Sequence, residues 1–458
     1  MNDFAGRRVT VMGLGRFGGG AGVTRWLIQR GARVLLTDLD PRDKLADSLA
    51  SIDDLARSGA LGLRLGGHDE RDFRDTDLVV ANPAVPRPWS NAYLRAARQA
   101  GVPVTTEIRL LVERLPERRR VIAITGTVGK STTSALIAHG LRAAGSDVFF
   151  GGNIGGSLLP ELARITPSSD VVLEVSSAML HWLARGAGFD AAPGWSPGVA
   201  VVTNIAPNHL DWHETFDHYR DCKLQLLRDQ APTDRAVVHE SVADWASLTA
   251  AKVHIVRNSD AQRVPPLAIP GRHNRQNAAV AIAALASAGL DEQDAGRAVA
   301  TFPGLPDRLQ ALGWFELPGG RGRIRAFNDS KSTTPEAALL AVEAMDDEPH
   351  VGAGRVRLIC GGYDKKVSLA ELARAAARCA GAYTVGATGA GLAQEISRLG
   401  GKAYHCGDVS SAVDRAIEHA VHSDVILLSP GCASWDQFTN YEERGRVFAR
   451  AVGRLTAC

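Results

Sequence analysis

The chain has 458 residues, with 52 Lys and Arg against 50 Asp and Glu, a net charge of +2 and 45% apolar residues. This balance excludes a disordered, collagenous or coiled-coil chain and gives no electrostatic case for nucleic-acid binding. At roughly 150 residues per domain, the length predicts about three domains.

Strand-like and helix-like stretches alternate from the start. Residues 9–12 form an apolar strand ending in glycines, residues 23–30 have helical spacing, and residues 34–37 form a second strand stopped by Asp38. Another strand at 78–80 runs into a turn with Pro83, Pro86 and Pro88. Residues 113–120 are read as a linker, with Arg118, Arg119 and Arg120 in solvent. A second α/β unit opens at 121–125 and continues with strands at 171–175 and 199–203 and an Ala-rich helix at 277–288. Pro303, Gly304 and Pro306 mark a second boundary, followed by strands at 355–360 and 425–428. Continuous apolar strands alternating with helices predict an α/β fold with parallel sheets. The predicted domains are 1–115, 116–303 and 304–458.

The cysteines at 222, 360, 379, 406, 432 and 458 form no C-x-x-C pair, so their spacing implies neither a zinc site nor a redox motif. Nor do they suggest a disulfide framework, and a reducing cytosol is expected. The opening MNDFAGRR leads directly into a strand, without the apolar region of a signal peptide. The longest mostly apolar run, 278–290, is too short to span a bilayer, so no membrane association is expected.

Gly13-Leu14-Gly15-Arg16-Phe17-Gly18 matches G-x-G-x-x-G between a strand and a helix, and Asp38 ends the next strand. Glycines let a diphosphate approach the backbone, and the helix N-terminus supplies N–H donors. A UDP-sugar and a nicotinamide dinucleotide both carry that group, and a plain glycine turn is the structural alternative. Thr125-Gly126-Thr127-Val128-Gly129-Lys130-Ser131-Thr132 has the Gly-Lys-Ser tail of a P-loop, with Ile124 where the first glycine would stand. Its backbone N–H groups would cradle phosphates, Lys130 would meet the terminal ones, and Ser131 would ligate Mg²⁺.

Glu174 ends an apolar strand just before Ser176 and Ser177, where α/β sheets bind ligands; metal or nucleotide contact competes with a helix-capping role. Asn204, Asn208, His209, Asp211 and His213 cluster after the strand at 199–203, as substrate or Mg²⁺ contacts or as a capped turn. By composition alone, Lys223 is a surface lysine. Asn328-Asp329-Ser330-Lys331-Ser332-Thr333-Thr334 and the segment 429–438 are read as anion- or substrate-binding loops, or as capped turns. Cys432 lacks an assignable His partner and is not read as a nucleophile.

Together, in this order along the whole chain, these motifs resemble the Mur ligases, the ATP-dependent amide ligases of peptidoglycan precursor synthesis. The resemblance implies a Rossmann-like N-terminal domain, a central P-loop ATPase-like domain and a Rossmann-like C-terminal domain. It implies that Gly13, Gly15, Gly18 and Asp38 bind the UDP part of the acceptor, with Asn153 touching substrate near the phosphates. It implies that Gly126, Thr127, Gly129, Lys130, Ser131 and Thr132 bind ATP phosphates and Mg²⁺, with Glu174 and His209 as ligands of a second Mg²⁺. Lys223 matches the lysine that the family carbamylates. Asn277, Arg308, Asp329 and Lys331 would contact ATP, and Lys365, Ser434 and Tyr441 would hold the incoming D-glutamate. The implied partners are UDP-N-acetylmuramoyl-L-alanine and D-glutamate, with a monomer in the cytoplasm as the working form. The chain departs from the pattern at Val128, where asparagine is common, at Tyr441, where phenylalanine is frequent, and at Arg16 and Phe17. The segment Pro318-Gly319-Gly320-Arg321-Gly322 resembles a lengthened hairpin turn.

Three competing readings remain. A nicotinamide-dependent dehydrogenase would use Gly13, Gly15, Gly18 and Asp38 but leaves the P-loop without a role. A nucleotide hydrolase would turn over ATP without any amino acid. A relative adding a different amino acid would keep the fold, and the stretch Asn328-Asp329-Ser330-Lys331 favours the D-glutamate member.

Overall fold

In the computed structural model, residues 3–15, 19–56, 59–187, 192–346, 351, 353–365 and 367–458 are described. Gly18, expected at the diphosphate, lies outside them, as do Arg16 and Phe17. The described strands form three sheets.

The first sheet contains β1 (Arg8–Met12), β2 (Arg33–Asp38), β3 (Leu61–Leu65), β4 (Leu78–Ala81) and β5 (Val104–Thr106). All pair in parallel, in the order β3-β2-β1-β4-β5. The connection reverses direction between β1 and β4, so a crevice opens at their carboxyl ends. The second sheet contains β6 (Val121–Thr125), β7 (Val148–Gly152), β8 (Asp170–Glu174), β9 (Val199–Val202), β10 (Arg235–His239) and β11 (Lys252–Val256). It is also parallel, in the order β11-β10-β9-β6-β8-β7. β6, β8 and β9 are buried at every position, as the apolar runs at their centres require.

The third sheet contains β12 (Gln310–Glu316), β13 (Arg323–Asn328), β14 (Val356–Gly361), β15 (Gly381–Val385), β16 (Ala403–Gly407) and β17 (Val425–Leu428). Its order is β12-β13-β17-β14-β15-β16, parallel except for the antiparallel pair β12 and β13. The expected hairpin turn joins that pair, with Gly319 and Gly320 at φ 70° and 69°, where a side chain would be strained.

The chain divides into two compact units, Met1–Asp260 with Asn277–Val299, and Ala261–Gln276 with Ala300–Cys458. The first unit holds the first two sheets, with a core that runs across both from Trp26 and Leu36 through Ile108 and Leu111 to Leu173 and Leu226, and a smaller cluster around Phe73, Leu94 and Trp182. Arg109, 4% exposed, ties the helix Glu107–Val112 into this unit by donating to the carbonyls of Trp182, Ala184 and Pro193. The basic run before β6 is solvent-accessible, as expected, but two of its arginines are also anchored to the sheet. Arg118 makes a bidentate pair with the buried Asp234, at 2.9 and 3.0 Å, and Arg120 pairs with the buried Asp170 at 2.9 Å. Burying those carboxylates at the amino edge of the sheet is tolerated because a guanidinium answers each one.

Candidate active site

The phosphate loop follows β6 and leads into the helix Lys130–Ala143, capped by Gly129 in the left-handed region at φ 81°. Gly126 and Gly129 are required: a Cβ on the first would overlap the Thr203 hydroxyl, and one on the second the Asn277 side-chain oxygen. Loop shape is enforced from the end of the neighbouring β9. The Asn204 side chain accepts from Val128 N at 3.0 Å and donates to Val128 O at 3.0 Å, and Thr203 donates to the same carbonyl at 2.7 Å. The Val128 side chain is 65% exposed, so its difference from asparagine leaves these backbone bonds intact. Thr127 Oγ1 lies 3.0 Å from the Tyr219 hydroxyl. Lys130 Nζ donates to the carbonyls of Gly126 and Thr127, each at 2.9 Å.

Lys223 is the main departure from its compositional reading. It lies on the helix Phe216–Arg228 and is 1% exposed. Its Nζ donates to Gly126 O at 2.7 Å and to Thr125 Oγ1 at 3.3 Å, and sits 4.7 Å from the Tyr219 ring centre. Burial first, and then the Lys130 ammonium on the same carbonyl, pull its pKa down to about 7. A large fraction of Lys223 is therefore a free amine at neutral pH.

Glu174 ends β8, the strand beside β6, and is 1% exposed. Asn153 donates to its Oε1 at 2.6 Å, while its Oε2 is buried with no hydrogen-bond partner among the described residues. An unpaired buried carboxylate oxygen is costly, and a hard divalent cation such as Mg²⁺ would satisfy it. The donor set therefore fits the expected Mg²⁺, with the Ser131 hydroxyl at the start of the adjacent helix. His209 is exposed and held at φ 53° as the cap of the helix Leu210–His213. That left-handed backbone is strained for histidine and turns it toward the cavity described below. His213 from the same cluster is instead structural: 1% exposed, it bonds Ser177 at 2.9 Å and is kept neutral by burial, its pKa near 3.

At the crevice of the first sheet, Gly13 and Gly15 pass over the Asn82 side chain at φ 91° and 65°, with no room for a Cβ between. Asp38 accepts from Leu14 N at 2.8 Å and from Gly15 N at 3.3 Å, so its carboxylate organises the glycine loop itself. A cavity of about 600 Å³ joins this crevice to the phosphate loop, and Gly13, Gly15, Lys130, Asn153, His209 and Lys223 all line it. Asn82 and Glu107 line it too and were missed by sequence reading. Asn82 immediately follows β4 at the crossover point, which is the signal that would have found it. Glu107 carries no such signal; buried, it accepts from Ser157 at 2.5 Å and burial raises its pKa to about 7.

In the second unit, Asp329 follows β13 and is 9% exposed. It accepts from Leu309 N at 3.1 Å and Ser429 Oγ at 2.7 Å, and burial raises its pKa to about 7. Arg308 and Lys331 are exposed nearby in sequence to these anchors, and Lys331 Nζ sits 5.0 Å from the Tyr441 ring centre. Arg444, 1% exposed, clamps two loops: it donates to Ser330 Oγ and O, at 3.0 and 2.7 Å, and to Cys432 O at 3.0 Å. Lys365 Nζ donates to Thr333 O at 3.3 Å and lies 5.4 Å from the Trp435 ring centre, while Ser434 is buried. The carboxyl edges of β13, β14 and β17 thus gather the expected residues of this unit.

Residues 124–265 match the Mur ligase middle domain, and residues 315–432 match the Mur ligase glutamate ligase domain. A UDP-N-acetylmuramoylalanine–D-glutamate ligase of Roseiflexus sp. (strain RS-1) is 36% identical over 99% of this chain and all of its own length. The chain belongs to the Mur ligase family. The enzyme of the same name from Sphingopyxis alaskensis is also 36% identical, with 99% of both chains covered. Among solved structures, the UDP-N-acetylmuramate–alanine ligase of Thermotoga maritima matches 98% of this chain with a TM-score of 0.56 at 18% identity, a likeness of Mur ligase fold. No described helix is long and apolar enough to cross a membrane.

Proposed function

We propose that this Mur ligase joins D-glutamate to UDP-N-acetylmuramoyl-L-alanine at the expense of ATP, in peptidoglycan precursor synthesis. The end-to-end 36% identity with relatives named for that reaction carries the assignment. A carboxylate has no good leaving group, so the acceptor carboxylate first takes the γ-phosphoryl of ATP. The amine of D-glutamate then attacks the acyl carbon, and phosphate departs.

The chain's residues position these groups and offset their charge. Backbone N–H groups of Gly126 and Gly129, with Thr127 beside them and Lys130, Ser131 and Thr132 at the helix N-terminus, hold the ATP phosphates, while the Thr127 N–H donates to Asn204 O and fixes the loop. Lys130 exchanges its two loop carbonyls for phosphate oxygens. Mg²⁺, when bound, neutralises phosphate charge and would be held by Ser131, Glu174 and His209. Asn153 fixes the Glu174 carboxylate through Oε1, and the unpartnered Oε2 is the oxygen available to the cation. Lys223 Nζ attacks the carbon of CO₂ as a free amine and loses a proton, giving a carbamate that supplies an anionic oxygen pair beside the phosphate loop.

Gly13, Gly15 and Gly18 seat the UDP diphosphate, and Asp38 shapes their loop. Asn277, Arg308, Asp329 and Lys331 take the nucleotide; Lys365, Ser434 and Tyr441 take D-glutamate, the Lys365 ammonium answering a carboxylate. We assign domains at 1–115, 116–303 and 304–458 and a cytoplasmic monomer as the working form. The test is phosphate release from ATP with the acceptor and D-glutamate, L-glutamate or no amino acid. Release that requires both acceptor and D-glutamate supports the assignment; release with neither refutes it.

A further inference from the structure

Outside the cavity, the first unit brings two imidazoles and a thiol together. His181 lies on the helix Ser177–Leu183, and His218 and Cys222 are one turn apart on Phe216–Arg228. One ligand atom from each lies within 4.8 Å of the others. His218 Nε2 is 3.5 Å from Cys222 Sγ. In a tetrahedral site with Zn–N of roughly 2.0–2.1 Å and Zn–S of about 2.3 Å, that edge is about 3.6 Å.

One of the two imidazoles is also backed by a main-chain carbonyl. His218 Nδ1 is 3.2 Å from the carbonyl oxygen of His213, an atom that only accepts. His218 Nδ1 also lies 3.2 Å from His213 Nδ1; in the tautomer that donates to the His213 carbonyl, the Nε2 lone pair points toward the sulfur, the arrangement seen behind metal-bound histidines. His181 makes ring contacts with Trp89, Trp212 and His218, at 5.5 Å each, but no side-chain hydrogen bond among the described residues. Burial keeps His181 neutral and holds Cys222 as a thiol, so the group is not a thiolate nucleophile with a charged histidine.

We propose that His181, His218 and Cys222 form a binding site for a thiophilic divalent cation of the Zn²⁺ class. Binding forms the metal–sulfur bond and releases the thiol proton to solvent, with no change of oxidation state. Three protein ligands leave the fourth tetrahedral position to water. The ion ties the helix carrying Lys223 to the helix that follows the Glu174 strand. Mg²⁺, which prefers oxygen, does not compete.

The test loads the full chain with Co²⁺ and, separately, Zn²⁺ after chelation, in excess Mg²⁺. The expected results are one tightly held Zn²⁺ per chain, a thiolate-to-cobalt charge-transfer band, and a Zn²⁺-dependent rise in Tm. C222S abolishes the band and the Tm rise; H181Q and H218Q each weaken Zn²⁺ binding at least about tenfold. C458S, at the exposed cysteine, keeps both signals. Circular dichroism confirms that each variant is folded before loading. No band in the unmodified chain, a band that survives C222S, or a band lost in C458S overturns the proposal.

Discussion

Removing dissolved CO₂ tests the assigned role of Lys223. A solvated lysine with a pKa of about 10.4 is a free amine roughly once in 2,500 molecules at pH 7. With its pKa lowered from 10.5 to about 7, Lys223 is a free amine in about half of them. Burial and Lys130 therefore raise the reactive form by roughly a thousandfold. The assay is ¹³C NMR with labelled bicarbonate, run beside phosphate release. A carbamate resonance that K223A lacks should appear, and CO₂-free buffer should slow turnover by tenfold or more until bicarbonate is restored. Between pH 6 and 8 the initial rate of carbamylation should rise with a midpoint near 7. Absence of the resonance at saturating bicarbonate, or a midpoint near 10, would refute the reasoning. The same shift has a stability consequence. The unfolded chain binds the extra proton between about pH 10 and pH 7, so the uncarbamylated protein loses stability as pH falls through that window.

Other residues give independent checks. Asn204→Ala removes two backbone-holding bonds from Val128; at up to about 1 kcal/mol each, denaturant unfolding should show a loss of no more than about 2 kcal/mol, and KM for ATP should rise because the loop is no longer held in shape. Arg444→Met leaves Ser330 O and Cys432 O without their buried donor; denaturant unfolding should show a loss of about 3 kcal/mol. Asp329 has a raised folded pKa near 7, so the folded state binds the extra proton between about pH 4 and pH 7 and stability falls as pH rises through that window. Asp329→Asn should flatten that slope relative to the parent in pH-dependent unfolding, and an unchanged slope would show that Asp329 ionises freely.

Much of this was legible in the chain itself. The central strands β1, β6, β8, β9 and β17 announce themselves because a strand covered on both faces must be apolar at nearly every position. The glycines at 13, 15, 126 and 129 are legible for a related reason: their backbone angles or close neighbours exclude a side chain. Edge strands such as β3, β7, β11 and β16 were missed because they are only partly covered and lack a continuous apolar run. The ion pairs of Arg118 and Arg120 are not legible in the sequence because their carboxylate partners, Asp234 and Asp170, lie far along the chain.

The residue types and their order, read alone, determined the α/β class, the phosphate loop and the family resemblance. Only the tertiary structure decided which polar groups lose their water. Lys223 reads as a surface lysine until the strand order sets β6 between β8 and β9 and the phosphate loop closes over its ammonium. Likewise, His181 and Cys222 have no metal-binding spacing until two helices bring them together. Desolvation and ligand geometry depend on distances through space, and those distances exist only once the chain has folded.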